Sequence, residues 1–118
     1  MLVILLVGED LRLLSTRAAV LGQGGAEVDT ARPEELSVRM MARSYDLLVL
    51  CHTLREKDAE AIALLAQQQW PEVRILQIVR EQWMEWPVRR GIAALSTPEP
   101  RRLVERTREL FPAAFGAR

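Results

Sequence analysis

A cysteine and a histidine, Cys51 and His52, stand side by side where a continuously apolar run of the sequence ends. A thiol beside an imidazole can supply a nucleophile and its general base. Successive strand residues point to opposite faces, however, so these two side chains are not expected to hydrogen-bond to each other. Two interpretations remain for Cys51: a small half-buried thiol that fills space, or a redox-sensing thiol, which requires a lowered thiol pKa.

The sequence offers no cofactor site of a familiar kind. His52 is the single histidine and Cys51 the single cysteine, so the chain cannot assemble a four-ligand zinc site from these residues. No glycine-rich phosphate loop surrounds the pair. We therefore expect no metal and no cofactor, and we interpret His52 as a loop residue without a chemical role.

The elements that position Cys51 follow from two aliphatic runs, residues 2–7 and 47–50. Short, unbroken apolar runs are typical of strands buried on both faces, as in the centre of a parallel α/β sheet. Ligands of such sheets bind beyond the carboxyl ends of the strands. The residues that follow the two runs, Gly8, Glu9, Cys51 and His52, therefore mark the candidate crevice. Asp10 is a good N-cap for the first helix.

Further strands are predicted at 26–31, 73–79 and 92–95, and helices at 11–21, 33–43, 58–69 and 98–111. Strands that alternate with helices favour an α/β, flavodoxin-like (βα)5 sandwich of three layers with a parallel sheet in the order 2-1-3-4-5. The inward stripes are predicted to include Leu11 and Leu14 of the first helix and Ile62 and Leu65 of the third. Residues 1–118 form one domain, with 112–118 a loosely ordered tail.

Composition supports a globular, cytoplasmic domain. The chain has 118 residues, of which 49% are hydrophobic. One cysteine suits a reducing compartment, and the apolar N-terminal run is too short to span a membrane. The net charge is 0, but residues 87–118 carry 7 basic and 3 acidic side chains. No nucleic-acid recognition motif accompanies them, so a solvated helix face explains this end better than direct nucleic-acid binding.

Four stretches carry a resemblance to a known family: 25–31 (GAEVDTA), 45–50 (YDLLVL), 71–76 (PEVRIL) and 97–99 (TPE). In these stretches, and over nearly the whole chain, the sequence resembles the receiver domain of bacterial two-component response regulators. The resemblance implies the doubly wound fold already predicted from the pattern. It also implies a site for Mg²⁺-dependent phosphorylation of an aspartate.

The positions that correspond to this site carry other residues. Gly8 and Glu9, followed by Asp10, replace the adjacent metal-binding acids, and Cys51 replaces the phosphoacceptor aspartate. The family's hydroxyl residue corresponds to Val79, and its lysine to Leu95 or Ser96. Mg²⁺ prefers several oxygen ligands, and a thiolate is a poor one. We therefore expect a degenerate domain without phosphorylation and without enzymatic activity.

A second candidate region follows the fourth predicted strand, where the connection to the fifth looks shorter than the family's. Trp83 and Trp86 are spaced so that both lie on one side of a helical turn, with Met84 between them. Each could instead seal the sheet. In receivers, this side of the domain is the usual signalling and dimerisation surface, and aromatic residues are enriched at such interfaces. The predicted rim consists of four arginines: Arg89, Arg90, Arg101 and Arg102.

Two functions follow from these features. The first is a receiver-like interaction module that dimerises or binds a protein partner through the side that carries Trp83 to Arg102. The alternative is a small-ligand or thiol-redox sensor that uses the crevice at the ends of the first and third strands. The sequence names neither the partner nor the ligand.

Overall fold

The computed structural model describes residues 1–80 and 91–115. Its strands are β1 (Val3–Val7), β2 (Glu27–Ala31), β3 (Leu47–Leu50), β4 (Arg74–Ile78) and β5 (Ala94–Ser96). Its helices are α1 (Leu11–Gln23), α2 (Leu36–Ala42), α3 (Glu56–Gln69) and α4 (Pro100–Leu110), and a 3-10 turn (Pro33–Glu35) precedes α2. Part of the connection between β4 and β5 lies outside the described residues.

All five strands pair in parallel, in the order β2-β1-β3-β4-β5. The predicted fold class and strand order are therefore confirmed. The register aligns Val7 with Leu50, the last residues of β1 and β3. This alignment places the loops after Val7 and Leu50 side by side at the carboxyl edge of the sheet.

The core has two layers, one on each face of the sheet. On one face, Leu14 and Leu21 of α1 and Leu103 of α4 pack with alternate strand residues. On the other, Leu36 of α2 and Ile62 of α3 do the same. The central strands β1 and β3 are buried on both faces, which is why their sequences are continuously apolar. None of the helices in the described part is long and apolar enough to cross a membrane.

Two residues predicted to face inward are exposed. Leu11 is 61% exposed because it is the first residue of α1, next to the exposed Glu9 and Asp10. Leu65 is 49% exposed because the buried stripe of α3 follows Ile62, Ala63 and Ala66 instead. Since residues three and four apart share a helix face, small alanines provide the contact with the sheet.

Within the predicted tail, the described residues 112–114 are exposed, and Phe115 packs against the domain. The Phe115 ring is fully buried, and its backbone N–H donates to the carbonyl of Phe111 over 3.0 Å. A side chain at Gly24, after α1, would collide with this ring. The end of α4 is therefore fastened to the end of α1 by an aromatic side chain seated against a glycine.

Candidate functional site

The carboxyl ends of β1 and β3 meet closely. The Cys51 N–H donates to the Val7 carbonyl over 2.9 Å, and the Gly8 N–H donates to the Ala31 carbonyl over 3.2 Å. These bonds continue the parallel ladders one residue beyond the strands. They bring Gly8 and Cys51, two of the predicted site residues, into contact.

The absence of a side chain at Gly8 is what permits this contact. A Cβ atom at Gly8 would lie 3.0 Å from the Cys51 Cβ and 3.1 Å from the Thr53 hydroxyl oxygen. That hydroxyl accepts a hydrogen bond from the Glu9 N–H over 3.0 Å. A side chain at position 8 would therefore crowd the Cys51 side chain and the Thr53 hydroxyl that holds the loop.

The Asp10 carboxylate is engaged in the backbone of α1. Its Oδ1 accepts hydrogen bonds from the N–H groups of Arg12 and Leu13, at 3.0 and 3.2 Å, as the N-cap prediction requires. Among the described residues, no group of three or more histidine, cysteine, aspartate or glutamate side chains could hold a metal ion. Val79, the remaining predicted position, is half-buried and donates its N–H to the Ser96 carbonyl over 2.8 Å.

Arg17, which the sequence analysis did not single out, is the most unusual group near the site. This α1 residue is 3% exposed. Its Nη2 lies 3.3 Å from Nδ1 of His52, and its charge acts on the Cys51 thiol. Arg17 therefore influences both Cys51 and His52. Its place in the apolar stripe, between Leu14 and Leu21, is the signal that could have revealed it.

The guanidinium of Arg17 has no counter-charge within the described residues 1–80 and 91–115. Its Nη1 is buried without a hydrogen-bond partner there. In the part of the chain that the structure describes, the arginines that form ion pairs are Arg32, Arg43, Arg101, Arg102 and Arg106, and Arg17 is not among them. A buried, uncompensated cation of this kind is costly, and it therefore calls for an explanation.

The surroundings keep Cys51 and His52 neutral. Burial raises the pKa of the Cys51 thiol, and the charge and hydrogen bond of Arg17 oppose this shift without reversing it. Burial also lowers the pKa of His52, and the charges of Arg17 and Arg80 lower it further against a small opposing effect of Asp10. The thiol is thus protonated at neutral pH, and the imidazole can accept a hydrogen bond at Nδ1.

The predicted interaction surface is described only in part. Trp83, Met84, Trp86, Arg89 and Arg90 lie outside the described residues. Arg101 and Arg102 project from α4, with side chains 88% and 55% exposed. Both approach the Glu105 carboxylate, at 3.6 and 3.2 Å. These two rim residues are accessible, and part of their charge is balanced within the helix.

Comparison with known proteins places the fold. No family model and no curated protein sequence matches the chain. A two-component response regulator from Clostridium difficile is similar over 96% of this chain and 98% of its own, with a TM-score of 0.78 and 16% identity.

Two further solved structures agree. The response regulator TrrA of Thermotoga maritima, in complex with the histidine kinase ThkA, is similar over 94% of this chain and 99% of its own, with a TM-score of 0.74 and 18% identity. NtrX from Brucella abortus, in complex with ADP, reaches a TM-score of 0.81 at 22% identity, over 97% of this chain and 28% of its own. The chain therefore has the fold of a response-regulator receiver domain.

Proposed function

We propose that this receiver-fold domain is a signalling module that does not undergo Mg²⁺-dependent aspartyl phosphorylation and that acts, without catalysis, by binding proteins. The absence of phosphorylation is inferred mainly from the close packing at Gly8. A Cβ atom at this position would lie 3.0–3.3 Å from side-chain atoms of Cys51 and Thr53. Phosphoryl transfer of this kind needs an oxygen nucleophile and a cation that gathers the phosphoryl charge. Here a buried sulfur stands at the nucleophile's position.

The chemistry of the remaining groups supports the same conclusion. Among the described residues, Glu9 and Asp10 are the acids that follow β1 at the crevice, and Asp10 already caps α1. Mg²⁺ demands near-octahedral oxygen coordination and gives up its water reluctantly, so one free carboxylate holds it weakly. A buried arginine next to Cys51 further repels a divalent cation.

Incubation of the reduced protein with acetyl phosphate and MgCl₂, followed by intact-mass analysis, tests this part. We expect the mass to stay unchanged, whereas a phosphorylatable receiver domain treated in parallel gains a phosphoryl group. A Mg²⁺-dependent adduct would refute the proposal. The Cys51→Asp variant should also remain unmodified, because Arg17 would neutralise the new carboxylate while Gly8 still supplies no metal ligand.

For the interaction, we propose the side of the domain that carries Trp83 to Arg102, with a homodimer or another protein as the partner, in the cytoplasm. Arg101 and Arg102 are exposed there, as an interface rim requires. The structurally similar response regulator TrrA is solved in complex with the histidine kinase ThkA. This complex supports the proposal of a protein partner.

Sedimentation velocity over a range of concentrations tests this surface. We expect self-association that Trp83→Ala or Trp86→Ala abolishes. Met41→Ala is the matched control, because Met41 is an apolar side chain on α2 that is 89% exposed. A monomer at all concentrations would exclude the homodimer, and equal loss in all three variants would show that this surface is not specific.

The thiol-redox form of the sensor hypothesis is the weaker candidate. It requires a lowered thiol pKa, whereas burial raises the pKa of Cys51, which is 3% exposed. Native-state alkylation by iodoacetamide should therefore be slow and should accelerate when urea unfolds the domain. Rapid alkylation of the folded protein would restore the redox hypothesis.

A further inference from the structure

The buried guanidinium of Arg17 has donors that the described residues do not use. Guanidinium carries five N–H donors in a rigid fork that matches the oxygens of phosphate and carboxylate groups. The Nη2 atom of Arg17 contacts Nδ1 of His52, and the Cys51 thiol lies within reach of its charge. Nη1 has no hydrogen-bond partner among the described residues. His52 and Cys51 are both neutral, so neither balances the charge of Arg17.

Two arginines act on His52. Arg80 is close enough to His52 for its charge to lower the imidazole pKa, as Arg17 does. Asp10 acts in the opposite direction, and its carboxylate accepts hydrogen bonds from two backbone N–H groups, while the exposed Glu9 lies at the neighbouring end of β1. Among the described groups that act on His52, two cations therefore face one carboxylate, which favours an anion next to His52.

We propose that this crevice binds a small oxyanion, with Arg17 as the principal donor and with His52 and Arg80 at its solvent side. An oxyanion would pair with the unused Nη1 donor and would supply the missing counter-charge. The ring of His52 is half-buried and contacts the guanidinium, so it connects the buried charge to the surface. Arg17 and His52, the central residues of this site, are distant in sequence from Trp83–Arg102.

The test is an NMR titration of the full chain with inorganic phosphate, at constant ionic strength maintained with sodium chloride. We expect saturable shifts of the Arg17 side-chain, Cys51 and His52 signals. At a phosphate concentration tenfold above Kd, the melting temperature should rise by about 5 °C. If phosphate causes no saturable shift at these residues, and acetate causes none either, the proposal is wrong.

The acetate arm identifies the class of oxyanion. Saturation by phosphate alone indicates a phosphoryl ligand, whereas saturation by both indicates that a carboxylate suffices. Either result supports an oxyanion site. Shifts confined to surface arginines such as Arg101 or Arg108 would instead indicate non-specific screening and would overturn the proposal.

Variants locate the donor. Arg17→Met should abolish the phosphate-dependent rise in melting temperature, and Arg80→Gln should weaken phosphate binding by about three- to fivefold. Arg108→Met is the matched control, because Arg108 is an exposed arginine on α4, and it should bind phosphate as the wild type does. If Arg17→Met does not fold, the phosphate affinities of Arg80→Gln and Arg108→Met are compared instead. Equal affinities in these two variants would refute the oxyanion site. Trp83→Ala should leave the titration unchanged, so the site can be tested even if the interaction surface fails.

Discussion

Two polar clusters lie at opposite ends of the same sheet and differ in how their charges are satisfied. At the amino end, Arg43 pairs with Glu27 at 2.9 Å and approaches Asp29 at 3.6 Å. The Tyr45 hydroxyl donates to the Asp29 carboxylate over 2.7 Å. At the carboxyl end, Arg17 is buried with neutral partners and an unused donor.

This difference in charge pairing distinguishes polar groups that stabilise the fold from polar groups that do not. In the amino-end cluster, each charge has an opposite partner, and the pKa of Tyr45 is raised by burial and by its bond to Asp29. Arg17 is more deeply buried than Arg43 and has no such partner among the described residues. The charges at the amino end of the sheet are paired within the domain, whereas the charge of Arg17 at the carboxyl end is not. This difference supports a ligand at the carboxyl end.

The largest effect is expected for Tyr45→Ala. The ring is 3% exposed and packs edge-to-face on Trp70, with ring centroids 5.2 Å apart. Its loss should lower the free energy of unfolding by about 3–5 kcal/mol, as large-to-small core changes do. Tyr45→Phe, which removes only the hydroxyl, should cost about 1 kcal/mol. Urea denaturation measures both, and equal losses in the two variants would show that the ring contributes nothing.

Gly8→Asp is expected to cost about 1–3 kcal/mol, because overpacking displaces well-packed neighbours. The new Cβ would lie 3.0 Å from the Cys51 Cβ. Gly22→Asp is the control for the loss of a glycine, since a Cβ at Gly22 meets nothing within 4 Å. If Gly8→Asp has wild-type stability in urea, the site is looser than the structure shows.

Arg17→Met should leave stability unchanged or raise it, by up to about 2 kcal/mol, in buffer free of phosphate. Removal of an uncompensated buried charge relieves its desolvation penalty, which offsets the lost bond to His52. The measurement is the urea midpoint of the two proteins. A loss greater than about 2 kcal/mol would show that Arg17 is part of the structural framework, like Tyr45, and would erase the contrast between the two ends.

The smallest effect is a pH dependence from His52. Its pKa in the folded protein lies below the unfolded value, near 6.5, so its contribution to stability is present above that pH and is lost as the pH falls. Between pH 7.5 and 5.0, wild type should therefore lose more stability than His52→Gln. Identical losses, measured as urea midpoints, would show that the imidazole is not perturbed.

The sequence predicted the centre of the sheet well because β1 and β3 are buried on both faces and are continuously apolar, as in 47–50. The prediction of buried side chains failed at residues whose type occurs both in the core and at the surface. Leu65 has the hydrophobicity of a core residue, but the smaller Ala63 takes the inward position on α3. Phe115 follows a proline and two alanines, with no periodicity to mark it as buried.

Part of the residue cluster around Cys51 could be predicted from the sequence, and its buried arginine could not. Gly8, Cys51 and Asp10 were singled out, and the structure brings the first two into contact and makes the third a helix cap. Arg17 was missed because arginines on amphipathic helices usually lie at the flank, with the charge in water. Whether such a side chain turns inward depends on the residues of β3 that it meets, which are distant in sequence.

The contact between Gly8 and Cys51 also has a consequence for protein engineering. An acid introduced at Gly8 alone creates a steric conflict with Cys51 and Thr53. An aspartate introduced at Cys51 alone places a carboxylate within reach of the Arg17 charge, which would neutralise it. A designer who wants a metal-binding acid pair at this edge of the sheet must therefore change Gly8, Arg17 and Cys51 together, because each single change is either sterically unfavourable or electrostatically silent.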